Sequence, residues 1–380
     1  MDFSLSEEQQ AVRDLAIQII GDASTPERLT EIERAQDPKG PFDALLWAAL
    51  AEAGLLGIAI DEAHGGQGLD FVALSQVVEA AGLTAAYVPV VETLVAAADT
   101  ISRHGTAEQK DAWLPRIASG DLIATAATAE LVGEAIVDGT LKPVTTATPS
   151  GDGWTLSGTK ACVASGERAD LLLIPASLAG GGLGIFLVDG ASVTTERQEG
   201  PARPEALVTL DNVKVAADRL LGGSTTDGYV LVDSLVLRTT AALCSLEAGA
   251  ATAALKLGAE YTSEREQFGK KIATFQAVGQ RLGDAYVDAE AIRLTSAQAN
   301  WLIATREHVL DAIDAVAIAK FWAADGGQRV VHAATHVHGG VGVDREYPLH
   351  RYFLLTRQIE LSLGGATRNL LEIGQRMANA

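Results

Sequence analysis

The spacing of apolar residues changes twice along the chain, and this change constrains the fold more than any single motif does. Up to about residue 120 the spacing is helical: Ser6 and the Glu7–Glu8 pair form a plausible cap, followed by Val12, Leu15 and Ile19. LLWAALAEAGLLGIAI, VALSQVVEAAG and the stretch from Val90 to Arg103 are Ala-rich and apolar, punctuated by Gly54, Gly57, Gly65, Gly66 and Gly68. From about 121 the repeat shortens. GWTLSGTKACV, ADLLLIPA, GIFLVDG and ALVTLDNVKV are short β-type runs separated by Gly, Pro, Ser and Asp. From about 226 helical spacing returns, with Val278, Leu282, Tyr286, Ala289 and Ile292 at steps of four and three, the face of a helix inside a bundle. The expected fold is α+β and multidomain, with an N-terminal helical domain over 1–120, a middle β-barrel or sandwich over 121–225 and a C-terminal four-helix bundle over 226–380.

Composition narrows the function. A chain of 380 residues can bury large cores, 48% of it is hydrophobic, and its fully apolar runs fall short of the ~20 residues that cross a bilayer. No membrane role is expected. Lys and Arg total 29 against 49 for Asp and Glu, a net charge of -20, so a surface that tracks nucleic-acid phosphates is excluded. A local cationic site for a phosphorylated cofactor is still compatible, because one or two placed Arg side chains suffice. The opening MDFSLSEEQQAV is acidic where a secretory leader is basic, and Cys162 and Cys244 form no CxxC pair. Both point to a reducing, cytoplasmic setting.

Few local constellations suggest chemistry. His332 and His336 are four apart, a spacing that places two imidazoles on one helical face, with His338 close by, but there is no HExxH, no third ligand and no neighbouring cysteine, so no metal site is expected. No GxSxG elbow occurs, and the Gly-rich patch Ala179–Gly184 reads as a hairpin loop. SEREQFGKKIATFQ, residues 263–276, concentrates Arg265, Lys270 and Lys271 beside Phe268 and Phe275 in an otherwise acidic chain. It could dock something anionic and aromatic, or be a solvated turn between helices. The cluster from His338 to Gly342 either lets a backbone approach a ligand or ends a helix.

Taken together, REQFGKKIATFQ at 265–276 and HVHGGVGVDREYPLHRY at 336–352 resemble the C-terminal signatures of the acyl-CoA dehydrogenase family. LAEAGLLGIAIDEAHGGQGLD at 50–70, GTAEQKDAWLPRIASGD at 105–121 and SGTKACVASGERADLLL at 157–173 extend the resemblance over nearly the whole chain, in the family's order. The resemblance implies a flavoenzyme fold, usually tetrameric, with FAD between the β domain and the bundle and reaching into a neighbouring subunit. It implies that Arg265, Phe268, Gln276, Gly339, Gly340 and Gly342 contact the FAD of the adjacent chain, with His336 where the family has an amide. It also implies that Ala164 and Ser165 lie on the chain's own flavin side. The implied reaction is α,β-dehydrogenation of an acyl-CoA thioester: a Glu removes the α proton, flavin takes the β hydride, and an electron-transfer flavoprotein is the expected acceptor.

Two features depart from the family pattern. The positions where members carry the base are Leu363 and, in the alternative arrangement, Thr239; neither is a carboxylate. Glu247 is a weak substitute, two turns beyond Thr239, and Glu360 and Asp233 read as surface or capping charges. The loop that is T-E-P-x-x-G-S-D in the family reads Ala129-Glu130-Leu131-Val132-Gly133-Glu134, and Cys162 and Ala164 replace a Trp and a Thr near the isoalloxazine. The chain therefore resembles the Glu-lacking partner subunits of actinobacterial heterotetrameric acyl-CoA dehydrogenases, which complete a shared FAD site. The alternatives are a self-sufficient homotetramer with a relocated base and a non-catalytic binding or scaffold protein.

Overall fold

Local signals set the helix starts. In the computed structural model, which describes residues 3–131, 143–306 and 308–379, Ser6 accepts from the Gln9 N–H and Gln9 reaches back to the Ser6 N–H, a closed capping box that begins α1 (Glu7–Ala23). Thr25 and Pro26 begin α2 (Pro26–Arg34), and Asp43 caps α3 (Ala44–Glu52) through the N–H groups of Leu45 and Leu46. After α4 (Phe71–Thr84), the stretch expected to be an ordinary helix is a π-helix over Val90–Asp99 that passes into α5 (Thr100–His104). A second capping box, Thr106 with Gln109, starts α6 (Ala107–Ala118).

The β-type runs form one curled seven-stranded sheet. Its strands are β1 (Ala124–Ala126), β2 (Thr146–Ser150), β3 (Gly153–Ala164), β4 (Leu171–Leu178), β5 (Leu183–Asp189), β6 (Thr194–Gln198) and β7 (Glu205–Ala216). Their order is β1-β4-β2-β3-β7-β6, with β5 paired to β4. Alternation buries Leu156, Leu172, Ile174, Phe186, Val188 and Val208 in a single core. The Gly-rich patch is the hairpin loop between β4 and β5, where Gly180, Gly181 and Gly182 all take positive φ. The long β3–β7 ladder shifts register between Lys160 and Val163, and inside that irregularity Cys162 takes φ 51°.

The C-terminal stretch is helical: α7 (Gly228–Glu264), the short strands β8 (Glu266–Gln267) and β9 (Lys270–Lys271), then α8 (Gln276–Thr305), α9 (Ile313–His338), α10 (Leu349–Leu361) and α11 (Ala366–Asn379). Helices α7 to α10 form the bundle and α11 packs on α9. By length and composition α7 could cross a bilayer, but 72% of its most apolar window is buried by the protein's own packing, as in a core helix.

The chain divides into two compact units: Met1–Ala35, Ser75–Tyr87 and Thr240–Ala380 form the first, and Gln36–Leu74 with Val88–Thr239 the second. In the first, α4 and α7 touch backbone to backbone. A Cβ at Gly82 would lie 2.1 Å from the Leu246 carbonyl oxygen, and one at Gly249 would lie 2.2 Å from that of Glu79. Arg351 on α10 pairs with Glu33 on α2 at 2.6 Å, and the Tyr352 hydroxyl donates to the Leu83 carbonyl. In the second, Arg238 and Asp99, both buried, pair at 3.1 Å with Arg238 lying over the Phe71 ring.

The glycine seam gives a test. Gly249→Ala forces a methyl against main chain that cannot rotate away, so it should destabilise the fold by about 1–3 kcal/mol or more in denaturant unfolding. Gly279→Ala, where a Cβ would meet nothing within 4 Å, should be neutral or mildly stabilising.

Candidate functional site

One candidate face lies at the ends of α7 and α9. The Arg265 N–H donates to the Tyr261 carbonyl at 2.9 Å, closing α7, and the Ile272 N–H donates to the Arg265 carbonyl at 2.9 Å, closing the β8–β9 hairpin. Its two-residue turn is Phe268 and Gly269, with φ of 55° and 78°, the backbone that the twist of a tight hairpin demands. Phe268 is 92% exposed, and Arg265 and Gln276 are also on the surface. Such exposure of a large ring on strained backbone finds no explanation in the packing of this chain.

At the end of α9, His336, Gly339 and Gly340 are exposed while Gly342 is buried. Gly339 takes φ 62° and ψ -134°, which side chains resist, and a Cβ on Gly342 would come within 2.6 Å of the Thr335 carbonyl. At Gly339 and Gly340 a Cβ would meet nothing, so this backbone is open to whatever approaches from outside. The two segments are joined through three rings. Tyr261 stacks on His338 with centroids 4.3 Å apart, and Tyr347 approaches both rings. The His338 Nδ1 lies 2.7 Å from the Ala334 carbonyl and its Nε2 3.0 Å from the Tyr347 hydroxyl. The sequence offered His338 as a neighbour of a two-histidine face and as the start of a Gly-rich cluster, but not its ring contacts with Tyr261 and Tyr347; the signal was the placement of Tyr261 four residues before Arg265.

The residues expected on the chain's own flavin side lie in the second unit, where several of their backbone groups are engaged internally. Ala164 ends β3 and its carbonyl accepts from Thr125 Oγ1 at 2.8 Å; Ser165 follows at φ 57° and its carbonyl accepts from the Arg168 and Ala169 N–H groups. Cys162 is exposed, and its N–H donates to the Gln198 side chain at 2.9 Å. Glu130 is enclosed with Lys160, whose Nζ lies 2.5 Å from Oε1, and it also accepts from the N–H groups of Val144 and Thr145. Burial alone would raise the Glu130 pKa, but Lys160 and these donors hold it below the usual carboxylate value. Val132, Gly133 and Glu134 lie outside the described residues.

Neither base position offers a carboxylate. Leu363 sits in the turn between α10 and α11 at φ 54°, beside Gly364 at φ 97°, and the Thr239 hydroxyl donates back to the Leu235 carbonyl at 2.7 Å. Glu247 is fully buried between α7, α9 and α10. Its Oε1 accepts from Thr356 Oγ1 at 2.9 Å, Oε2 has no partner among the described residues, and Gly327 makes the room: a Cβ there would lie 2.4 Å from Oε1. Burial pushes its pKa up to about 8, against the opposing pull of Thr356 and Lys320, so at neutral pH it is mostly a carboxylic acid. Lys320, also buried, donates to the Ile359 carbonyl at 2.6 Å, and burial lowers its pKa to about 8. Glu360 pairs with Arg357, and burial raises the Asp233 pKa. His332 meets the Phe353 ring edge-on, and among the described residues no three His, Cys, Asp or Glu gather in a way that could hold a metal ion.

Comparison with known proteins shows the family. The model of the acyl-CoA dehydrogenase N-terminal domain matches residues 6–121, and that of the C-terminal domain matches 227–378. The acyl-CoA dehydrogenase FadE27 of Mycobacterium tuberculosis is 39% identical over 100% of this chain and 99% of its own length. The chain belongs to the acyl-CoA dehydrogenase family. Among solved structures, the ChsE4–ChsE5 complex from Mycobacterium tuberculosis contains a chain 36% identical, with a TM-score of 0.91 and full coverage of both chains. A variant of the Tcur3481–Tcur3483 steroid ACAD contains one 40% identical, with a TM-score of 0.88 and 99% coverage of each.

Acyl-CoA dehydrogenases are FAD-dependent oxidoreductases, and the exposed face of the first unit fits such a cofactor chemically. Arg265 supplies a permanent planar cation, Gln276 an amide, Phe268 an aromatic surface, and the Gly339–Gly340 backbone an approach free of side chains.

The two buried acids lead to different expectations. Lys160→Met strands the Glu130 anion and should cost about 3–5 kcal/mol in denaturant unfolding, much of which the double change with Glu130→Gln should restore. For Glu247 the folded pKa of about 8 exceeds the ordinary 4.5, so its contribution to stability is fully present below pH 4.5 and is lost as pH rises to about 8. Glu247→Gln removes that slope. Unfolding at pH 5 and pH 9 should show the variant gaining on the wild type by ~3–5 kcal/mol between the two; an unchanged slope would contradict the burial of an acid at this site.

Proposed function

We propose that this chain is the subunit of a heteromeric acyl-CoA dehydrogenase that completes an FAD site shared with a homologous, Glu-bearing chain. The observation that carries this reading is an asymmetry. Both base positions hold uncharged side chains, Leu363 and Thr239, whereas Arg265, Phe268, Gln276, Gly339 and Gly340 are kept and lie on the surface, with Gly342 buried behind them. A chain acting alone needs the base; a chain that serves a neighbour's cofactor needs only the outward face. The likeness to a subunit of the ChsE4–ChsE5 complex and of a steroid ACAD supports both the paired assembly and a steroid-type acyl-CoA as substrate.

FAD, when bound, accepts the hydride from the β carbon of the thioester. This chain's contribution is binding and orientation. Arg265 would hold a pyrophosphate oxygen pair with its fork, Gln276 would offer amide hydrogen bonds, and the N–H groups around Gly340 would approach the cofactor without steric cost. Phe268 would cover an aromatic face and keep water from it. The α proton would go to a carboxylate of the partner chain, and an electron-transfer flavoprotein in the cytoplasm would take the electrons onward.

Purified alone, the chain should carry little FAD; co-purified with its Glu-bearing homologue, it should approach one FAD per two chains by absorbance. Arg265→Ala in that assembly should weaken FAD binding by about ten-fold or more, as expected for loss of a charge-assisted hydrogen bond. A homotetramer with full FAD and turnover on its own would overturn this reading in favour of self-sufficiency. A colourless chain that takes up neither FAD nor partner would favour a scaffold.

A further inference from the structure

The two segments that face the cofactor in this reading come from parts of the chain about seventy residues apart, and something must keep them in fixed relation. The hairpin that carries Arg265 and Phe268 extends from the end of α7, and the Gly339–Gly342 segment extends from the end of α9. His338, the last residue of α9, is 3% exposed and lies under Tyr261, whose carbonyl accepts the Arg265 N–H. Its ring is held on three sides. The Ala334 carbonyl can only accept, so Nδ1 carries the proton and Nε2 offers a lone pair; the Tyr347 hydroxyl, 3.0 Å away, donates to it. Tyr347 stands just beyond the Gly-rich segment, so the ring is tied to the start of that segment through its own backbone and to the chain beyond it through Tyr347.

We propose that His338 is a positioning residue that locks the Arg265 hairpin to the Gly339–Gly342 backbone through the Tyr261–His338–Tyr347 ring cluster, so that both are pre-set for one pyrophosphate-bearing cofactor. The physical basis is the cost of ordering. Two loops that fluctuate independently must both be frozen on binding, whereas two loops fixed to one buried, hydrogen-bonded ring are largely ordered beforehand. Gly339 makes this matter, because with no side chain and open surroundings it is held by its N–H bond to the His336 carbonyl and its link to His338. The neutral ring matches this arrangement. Burial lowers the His338 pKa, opposed by the Ala334 hydrogen bond, which favours the tautomer that accepts from Tyr347.

The proposal rests on the FAD reading above, and the test separates the two. Wild type, His338→Leu and Tyr347→Phe would be compared with Tyr352→Phe, which removes a buried hydrogen bond from Tyr352 to Leu83 elsewhere in the same unit and so controls for general destabilisation. Hydrogen exchange on the cofactor-free protein is the first readout. His338→Leu should lose protection by ~ten-fold or more both in residues 265–276 and in 339–343, with a smaller loss of the same pattern in Tyr347→Phe and neither in Tyr352→Phe at matched melting temperature. The second readout is FAD affinity in the co-purified assembly, which His338→Leu should weaken by about ten-fold or more. Exchange that rises evenly over the unit, or in only one segment, would overturn the lock. Wild type that binds FAD and loses no affinity on His338→Leu would also overturn it. Wild type that binds no FAD would overturn the functional reading, and the exchange pattern would still decide the lock.

Discussion

Helix α7 carries the constraint on which most of this structure depends. It is 37 residues long and buried over much of its length, so its buried residues must each suit a neighbour. Within the first unit, Gly249 makes way for the α4 backbone, Glu247 is enclosed with Thr356 and Gly327, and Tyr261 stacks on His338. A rod fixed at so many points cannot shift along its axis without breaking several of these contacts at once, and its end is where the Arg265 hairpin begins. The placement of an exposed, charged turn is thus set by buried packing far along the same helix.

The polar groups of the chain fall into two populations. Several on the sheet side are engaged internally: Glu130 with Lys160 and two N–H groups, the Ala164 carbonyl with Thr125, the Cys162 N–H with Gln198. Arg265, Gln276 and His336, near the α7 and α9 ends, lie on the surface. Glu247 belongs with the first group. A carboxyl with one bonded oxygen and one bare one is tolerated in the bundle because it keeps its proton, which lowers the penalty of burying it. Its neighbour Lys320 serves the last carbonyls of α10, just before the turn that holds Leu363.

Much of this was legible in sequence, for reasons that can be named. Helix and sheet followed from apolar spacing, because each period leaves one face to bury, and the β4–β5 loop followed from its glycines. The outward segment at 265–276 showed as a cluster of cations and aromatics in an acidic chain. What was not legible depends on distance in space. Nothing in VVETLVAAAD states that the helix widens to a π-helix, since that choice is made by the packing around it. The Tyr261, His338 and Tyr347 rings are scattered in the chain and meet only because two helices end side by side. Glu247 read as a remote candidate base, and its enclosure depends on Gly327, eighty residues away.

Phe268 has a consequence for the life of the chain in a cell. An aromatic ring left in water at the tip of a strained two-residue turn gains from being covered, and whatever covers it stabilises the folded state by mass action. The persistence of this polypeptide against proteases would then follow the supply of its covering partner, so that matched synthesis of the two, rather than the strength of either promoter alone, would set how much of the chain accumulates.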